Sequence, residues 1–207
     1  MAVLHTDTVT FNWALGIRRL IIPGPDPIGI AGMPFDHARN VAAGHLLQSG
    51  LQWLFFLDSD VIPPRDAILR LMSHNKPIVS GVYCRRSPPE AIPVMMKPLG
   101  NWISQIPPSG LMEVEAVGAG CLLIHRQVFE KVPHQRPQEG KSYFDWRVDC
   151  MAVKPRHECL SEDFTFIQHA KAHGFPTFVD CSVRCLHVGY AESNYGSFRP
   201  LGSGPMP

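Results

Sequence analysis

Five apolar residues, Trp53-Leu54-Phe55-Phe56-Leu57, run straight into Asp58-Ser59-Asp60. A strand with no polar alternation must be buried on both faces, the condition of a mostly parallel sheet sandwiched between helices. Such sheets bind their ligands just beyond the carboxyl ends of the strands, where Asp58 and Asp60 fall. Side chains at i and i+2 of extended backbone project to the same side, so the two carboxylates can converge on one cation, and Ser59 adds little bulk between them. Hard oxygen donors of this kind suit Mg²⁺, Mn²⁺ or Ca²⁺ rather than zinc or copper. The motif is short, and a competing reading makes Asp58 the cap of the next helix and Asp60 a solvated loop residue.

A chain of 207 residues with 45% hydrophobic content can bury one good core. Residues 1–195 are expected to form a single domain, and the Gly, Pro and Ser-rich stretch 196–207 a disordered tail. The net charge of +1 gives no electrostatic case for a general nucleic-acid or membrane-surface binder. Neither a signal-peptide pattern nor an apolar segment of membrane-spanning length is present, so the expectation is a soluble, cytoplasmic protein. Six cysteines at unequal spacings, with no Cys-x-x-Cys pair, read as buried or free thiols in a reducing compartment. The arrangement Cys181-x-x-x-Cys185 with His187, plus His157 and Cys159, is the one combination resembling a zinc site. Small core residues are the competing reading of those cysteines.

Strand and helix signals alternate through the first half. Val3-Leu4 reads as a strand ending in polar His5-Thr6-Asp7-Thr8, and Phe11 to Leu20 has helical spacing. Thr6 and Asp7 would lie on the same rim as Asp58, as nucleotide contacts or as helix caps. After a turn at Pro23 to Pro27 comes a brief strand, Ile28-Gly29-Ile30. A helix follows from Phe35 to the Gly50 stop, with Asp36 able to cap it. Arg39 sits near the start of that helix, where the dipole favours anions, so it should face a bound phosphate or a carboxylate. Pro63-Pro64 is expected to open a helix through Met72, and Ile78 to Tyr83 to form another strand. This alternation argues for an α/β, three-layer sheet of nucleotide-binding type.

The second half has shorter strands, at Ile92 to Met96 and Leu111 to Ala116, forming a small antiparallel element. Gly118-Ala119-Gly120 precedes the apolar Cys121 to Ile124, and two glycines so close imply a backbone passing near something bulky. Periodicity is lost from Pro133 to Leu160, a length that in a compact domain signals a functional or mobile loop. Ser161-Glu162-Asp163 then opens a helix through His173, closed by Gly174, with the two acids complementing its dipole. Phe178 to Asp180 and Val183 to Val188 read as the last strands, the latter carrying His187.

Four pieces in this order resemble the GT-A fold glycosyltransferases near family 2, over roughly Phe35 to Tyr190. They are His37-Ala38-Arg39-Asn40 before a helix, Phe55 to Pro63 with its Asp-x-Asp, Ala116 to Ile124 with Gly-x-Gly, and Ser161-Glu162-Asp163-Phe164 followed by Cys185 to Gly189. The resemblance implies a GT-A (Rossmann-like) fold and a nucleotide-diphosphate sugar donor, a UDP-sugar first among them. Asp58 and Asp60 would hold its diphosphate through Mn²⁺ or Mg²⁺, with His187 as a further metal ligand. A neutral imidazole in the set tilts the preference toward Mn²⁺. Thr6, Asp7, Asp36, Arg39, Asp58 and Ser59 would contact the donor. An inverting transfer needs a base for the acceptor hydroxyl, and the resemblance points to Asp163 with Glu162 beside it.

The chain departs from processive polysaccharide synthases, having no Gln-x-x-Arg-Trp after Asp163 and no membrane span. Acceptor identity is open among a saccharide, a protein side chain and a hydroxylated nucleic-acid base. Trp102, Tyr143 and Trp146 are aromatic stacking candidates or loop anchors. Two rivals stand beside a glycosyltransferase. One is a nucleotide or sugar-binding protein, or a degenerate transferase without turnover. The other is a nucleotidyltransferase, disfavoured because His5 to Phe11 has neither Gly nor Lys for a phosphate loop.

Overall fold

The computed structural model describes residues 1–5, 8–85, 92–97, 99–139, 142–146, 160–188 and 195–196. Thr6 and Asp7, the 147–159 part of the long loop with Cys150, His157 and Cys159, and the tail 197–207 lie outside the described residues.

The elements in order are β1 (Ala2–Leu4), α1 (Phe11–Arg19), β2 (Ile28–Ile30), α2 (Phe35–Gln48), β3 (Trp53–Asp58), β4 (Val61–Ile62), α3 (Ala67–Ser73) and β5 (Ile78–Val82). They continue with β6 (Met95–Met96), β7 (Leu111–Val114), β8 (Ala116–Val117), β9 (Cys121–His125) and α4 (Arg126–Lys131). A 3₁₀ turn at Pro137–Glu139 precedes α5 (Glu162–Ala172), β10 (Thr177–Arg184), β11 (Leu186–Val188) and β12 (Tyr195–Gly196).

Seven strands form the central sheet in the order β2-β1-β3-β9-β5-β10-β7. Strands β1, β2, β3, β5 and β10 run one way, and β9 and β7 run against them. The apolar run of β3 is explained by its two covered faces. Leu54 and Phe56 point into one core with Ala42 and Leu46 of α2, Phe129 of α4 and Phe166 of α5. Phe55 and Leu57 point into the other, with Trp13 of α1 and Ile68 and Leu71 of α3. Residues of β5 and β9 divide between the same two cores, Ile78 and Leu122 to the first, Val79 and Leu123 to the second.

Two expectations are corrected. The helix expected from Pro63-Pro64 begins only at Ala67; the Arg65 carbonyl before it accepts from the Ile21 N–H at 2.8 Å, and Val61 and Ile62 pair with β11. Asp36 does not cap α2, whose N-cap is Pro34 without a side-chain bond; Asp36 lies buried in the first turn. The small antiparallel element is present as a β6-β8 pair, beside a three-stranded β12-β11-β4 sheet. No helix among the described residues is long and apolar enough to cross a membrane.

The antiparallel direction of β9 brings two glycines to the rim. Because Leu57 pairs with Cys121, Gly118 and Gly120 just before β9 arrive at the carboxyl end of β3.

Candidate functional site

The Asp58-Ser59-Asp60 turn is fixed by backbone bonds from several sides. The Ser59 N–H donates to Leu4 O at 3.1 Å, the Asp58 N–H to Gly120 O at 3.1 Å, and the Val188 N–H to Asp60 O at 2.7 Å. Below the turn, the buried Trp13 indole N–H donates to Asp58 O at 3.2 Å and Val61 O at 3.0 Å.

One half of the site pairs Asp60 with His187, whose Nε2 lies 3.4 Å from Asp60 Oδ1. His187 Nδ1 donates to the Cys84 carbonyl oxygen at 2.6 Å. A carbonyl oxygen only accepts, so Nδ1 carries a proton and Nε2 is the nitrogen turned toward the carboxylate, the one left to ligate a metal. Neighbouring ligands on an octahedral ion with bonds near 2.1 Å stand about 3 Å apart, so this spacing fits two ligands of one Mn²⁺ or Mg²⁺. The Tyr83 ring packs edge-on to His187 at 5.4 Å. No group of three or more His, Cys, Asp or Glu side chains among the described residues is arranged to hold a metal. Asp58 turns its Oδ1 to Arg39 Nη2 at 3.2 Å.

Arg39 is the electrostatic centre of the site. Its side chain is 3% exposed and its Nε also bonds Glu162 Oε1 at 3.2 Å. Its Nη1 is buried without a hydrogen-bond partner. The sequence mismatch with the helix dipole is therefore resolved by carboxylates. Burial pulls the Arg39 pKa down, but Asp58, Glu162 and Asp163 outweigh it and hold the guanidinium above its ordinary value. Burial pushes Asp58 up against the opposing pull of Arg39, with Asp60 and Asp163 adding to the rise. Glu162 is pushed up to about 7 by burial and by its neighbour Asp163, with Arg39 opposing.

The other half centres on Asp163 in the first turn of α5. Its Oδ2 accepts from the Ala119 N–H at 3.2 Å, and its Oδ1 from the Phe164 N–H at 2.8 Å and from the Ser161 hydroxyl. Ser161 is thus the N-cap by position, but its hydroxyl orients the carboxylate rather than the helix backbone. The glycines are explained by Tyr83: a Cβ on Gly118 would stand 2.1 Å from the Tyr83 hydroxyl oxygen, and one on Gly120 3.0 Å from it. Burial, then Asp58 and Asp163, push the Tyr83 phenol well above its ordinary pKa.

Chain similarity supplies the fold and nothing finer. No protein-family model matches the chain, and no curated protein does. Solved structures do match. The crystal structure of A197 from STIV superposes with a TM-score of 0.61 at 19% identity, over 90% of this chain and 83% of that one. At that identity the likeness speaks to a shared α/β architecture alone.

Of the residues singled out in the sequence, Arg39, Asp58, Asp60, Glu162, Asp163 and His187 gather at one rim with Ser59 in the turn between them. Trp102 packs against Phe164 at 5.9 Å, beside Asp163, with the Arg85 guanidinium 5.0 Å from its ring. Tyr143 is a core anchor, buried with its hydroxyl on Phe129 O at 2.7 Å, while Trp146 is exposed. Cys185 faces Cys121 in the core, while His157 and Cys159 of the zinc reading lie outside the described residues. Sequence reasoning passed over Trp13, Tyr83 and the Cys84 carbonyl. A tyrosine directly after the strand Ile78–Val82, thirty-five residues ahead of a Gly-x-Gly, was the available hint for Tyr83.

Proposed function

We propose that this chain is a metal-dependent, GT-A-type glycosyltransferase that moves a sugar from a nucleotide-diphosphate sugar to an acceptor hydroxyl with inversion. The observation that carries the reading is the pairing, on one rim, of a tautomer-fixed His187 beside Asp60 with a carboxylate, Asp163, held by three donors. Asp60 and His187 would hold Mn²⁺ or Mg²⁺, with Asp58 at the edge of the set; the ion supplies charge stabilisation to the departing diphosphate. The orphan Nη1 of Arg39 supports an anionic or hydroxylated ligand at this rim, since a buried unpaired donor is unfavourable by itself.

Asp163 takes the proton as the acceptor oxygen attacks the anomeric carbon. The bond from that carbon to the diphosphate oxygen breaks on the opposite face, and a nucleoside diphosphate leaves. Ser161 and the Ala119 N–H aim the carboxylate, which saves reorganisation when the acceptor binds. Trp102, tilted against Phe164, offers an aromatic face for an acceptor sugar or base.

The Arg39–Asp58 ion pair favours a second reading, a binder without turnover that recognises its nucleotide through the guanidinium and needs no metal. Thermal unfolding with a panel of nucleoside diphosphates and nucleotide sugars, UDP-sugars included, each with Mn²⁺ and with EDTA, separates the two. Ligand at a hundred times its dissociation constant stabilises by about 2.7 kcal/mol. A shift for one base that needs Mn²⁺ and vanishes in Asp60→Ala, with donor hydrolysis lost in Asp163→Asn, supports the transferase. An equal shift in EDTA supports the binder, and no shift with any nucleotide rejects both.

A further inference from the structure

We propose that His169 and His173 form a second metal site, which takes a borderline divalent ion such as Ni²⁺, Cu²⁺ or Zn²⁺ through two imidazole nitrogens. The two histidines stand four residues apart, so they share one face of the last turn of α5 and its exit. Their ring centroids are 4.6 Å apart, with the edge of one ring toward the other and the planes at 63°. Two imidazoles bound to one ion at about 2.1 Å place their centroids about 4.6 Å apart at a right angle and about 5.3 Å apart at the tetrahedral angle, so the observed spacing fits the former.

Hydrogen bonding has already sorted the nitrogens. His169 Nε2 lies 2.8 Å from Pro133 O, and His173 Nδ1 lies 2.8 Å from His169 O. Both partners are carbonyl oxygens, which only accept, so those two ring nitrogens carry the protons. The lone pairs fall on His169 Nδ1 and His173 Nε2. A ring N–H donated to a backbone carbonyl is the support that ligating histidines use to fix tautomer and orientation. Here both rings have it before any ion is present.

The donor set separates this site from the rim. Two imidazoles with no carboxylate select borderline ions, whereas the single His187 imidazole among the carboxylates around Asp60 leaves the rim to harder ones. His169 lies six residues beyond Asp163 on the same helix and His173 ten, about 9 and 15 Å along the axis. Water would fill the remaining positions, so binding is expected to be weak but stoichiometric. Through the His169 bond to Pro133, which follows α4, an ion here would also stiffen the contact between the ends of α4 and α5.

The test is calorimetric titration of Ni²⁺ into the full chain in excess Mg²⁺, which competes for oxygen ligands and poorly for imidazole. His169→Ala and His173→Gln are titrated alongside, the latter keeping a side-chain donor near the helix end. One equivalent of Ni²⁺ bound by the parent, weakened about tenfold or more by each substitution, is the expected result. A Cu²⁺-loaded sample should show hyperfine coupling to two nitrogens in its paramagnetic resonance spectrum, reduced to one in either variant. Ni²⁺ binding that both substitutions leave unchanged, or no binding at all, overturns the proposal and leaves the pair as a helix-end cap whose rings complement the dipole.

Discussion

Gly120 donates its backbone N–H to the Tyr83 hydroxyl at 2.9 Å, in the buried space between the two halves of the site. The same tyrosine packs its ring on His187, and the residue after it, Cys84, holds the His187 proton. On the other side, the Ala119 N–H between the two glycines holds Asp163. One dipeptide after β5 therefore touches His187 directly and reaches Asp163 through the Gly120–Ala119 backbone, the two residues to which the proposed reaction assigns metal and base. Tyr83→Phe keeps the ring and removes the acceptor for Gly120. It should destabilise the fold by about 1–3 kcal/mol in urea, the range for an orphaned buried group. In transfer assays it should lower kcat while leaving Mn²⁺ binding near that of the parent, because the ring on His187 remains.

Arg39 predicts a different pattern. Arg39→Met leaves Glu162 and part of Asp58 buried without a counter-charge, and should lower stability by about 3–5 kcal/mol in urea unfolding. Arg39→Lys should not rescue it, because Nε and Nη2 serve two different carboxylates and a single ammonium cannot reproduce that fork. Adding Glu162→Met to Arg39→Met should recover part of the loss. If the double variant is less stable than Arg39→Met alone, the ion pair is not what places Arg39 here.

The parts of this arrangement that could be read from the sequence are those governed by local rules. The unbroken apolar run of β3 required two covered faces, and its two cores follow directly. Arg39 stood out because a cation near a helix start conflicts with the dipole, and the conflict is resolved by carboxylates from β3 and α5. What could not be read depends on partners distant in the chain. The Pro63-Pro64 pair looked like a helix start, but the Arg65 carbonyl is claimed by the Ile21 N–H, more than forty residues earlier, and the helix begins at Ala67. Trp13 matched a helical apolar face, and nothing local revealed that its N–H reaches the Asp58 turn. The antiparallel direction of β9, which delivers the glycines to the rim, is likewise a property of the sheet and not of the segment.

Trp13→Phe tests that hidden support. The ring volume is largely kept, and the indole donor to Asp58 O and Val61 O is lost. The expected loss of stability is about 1–2 kcal/mol. Because those carbonyls belong to the turn carrying Asp60, Mn²⁺ affinity measured by titration should weaken too, although Trp13 contributes no ligand. His187→Ala should weaken Mn²⁺ more than Trp13→Phe does, as loss of a ligand exceeds loss of its support.

Glu162 sets a pH dependence of stability whose sign is fixed by its surroundings. Its ordinary value of 4.5 rises to about 7 in the folded chain, through burial and the nearby Asp163. The folded state therefore binds the extra proton between those two values. The stabilisation is complete below about pH 4.5 and is lost as pH rises through 7, because the charged form is the one the fold disfavours. A rise of that size corresponds to about 3 kcal/mol between the two limits. Asp180 acts in a separate window: bonds from Ser182 and His74 outweigh its burial and hold it below the ordinary carboxylate range. Its contribution is present above the ordinary carboxylate pKa and fades only as pH falls through the lowered value. Urea unfolding in EDTA at pH 5 and at pH 8 should thus show the parent chain losing stability with rising pH. Glu162→Gln should flatten that slope. A slope that persists unchanged in Glu162→Gln would assign the titration to another group and remove Glu162 from its role beside Arg39.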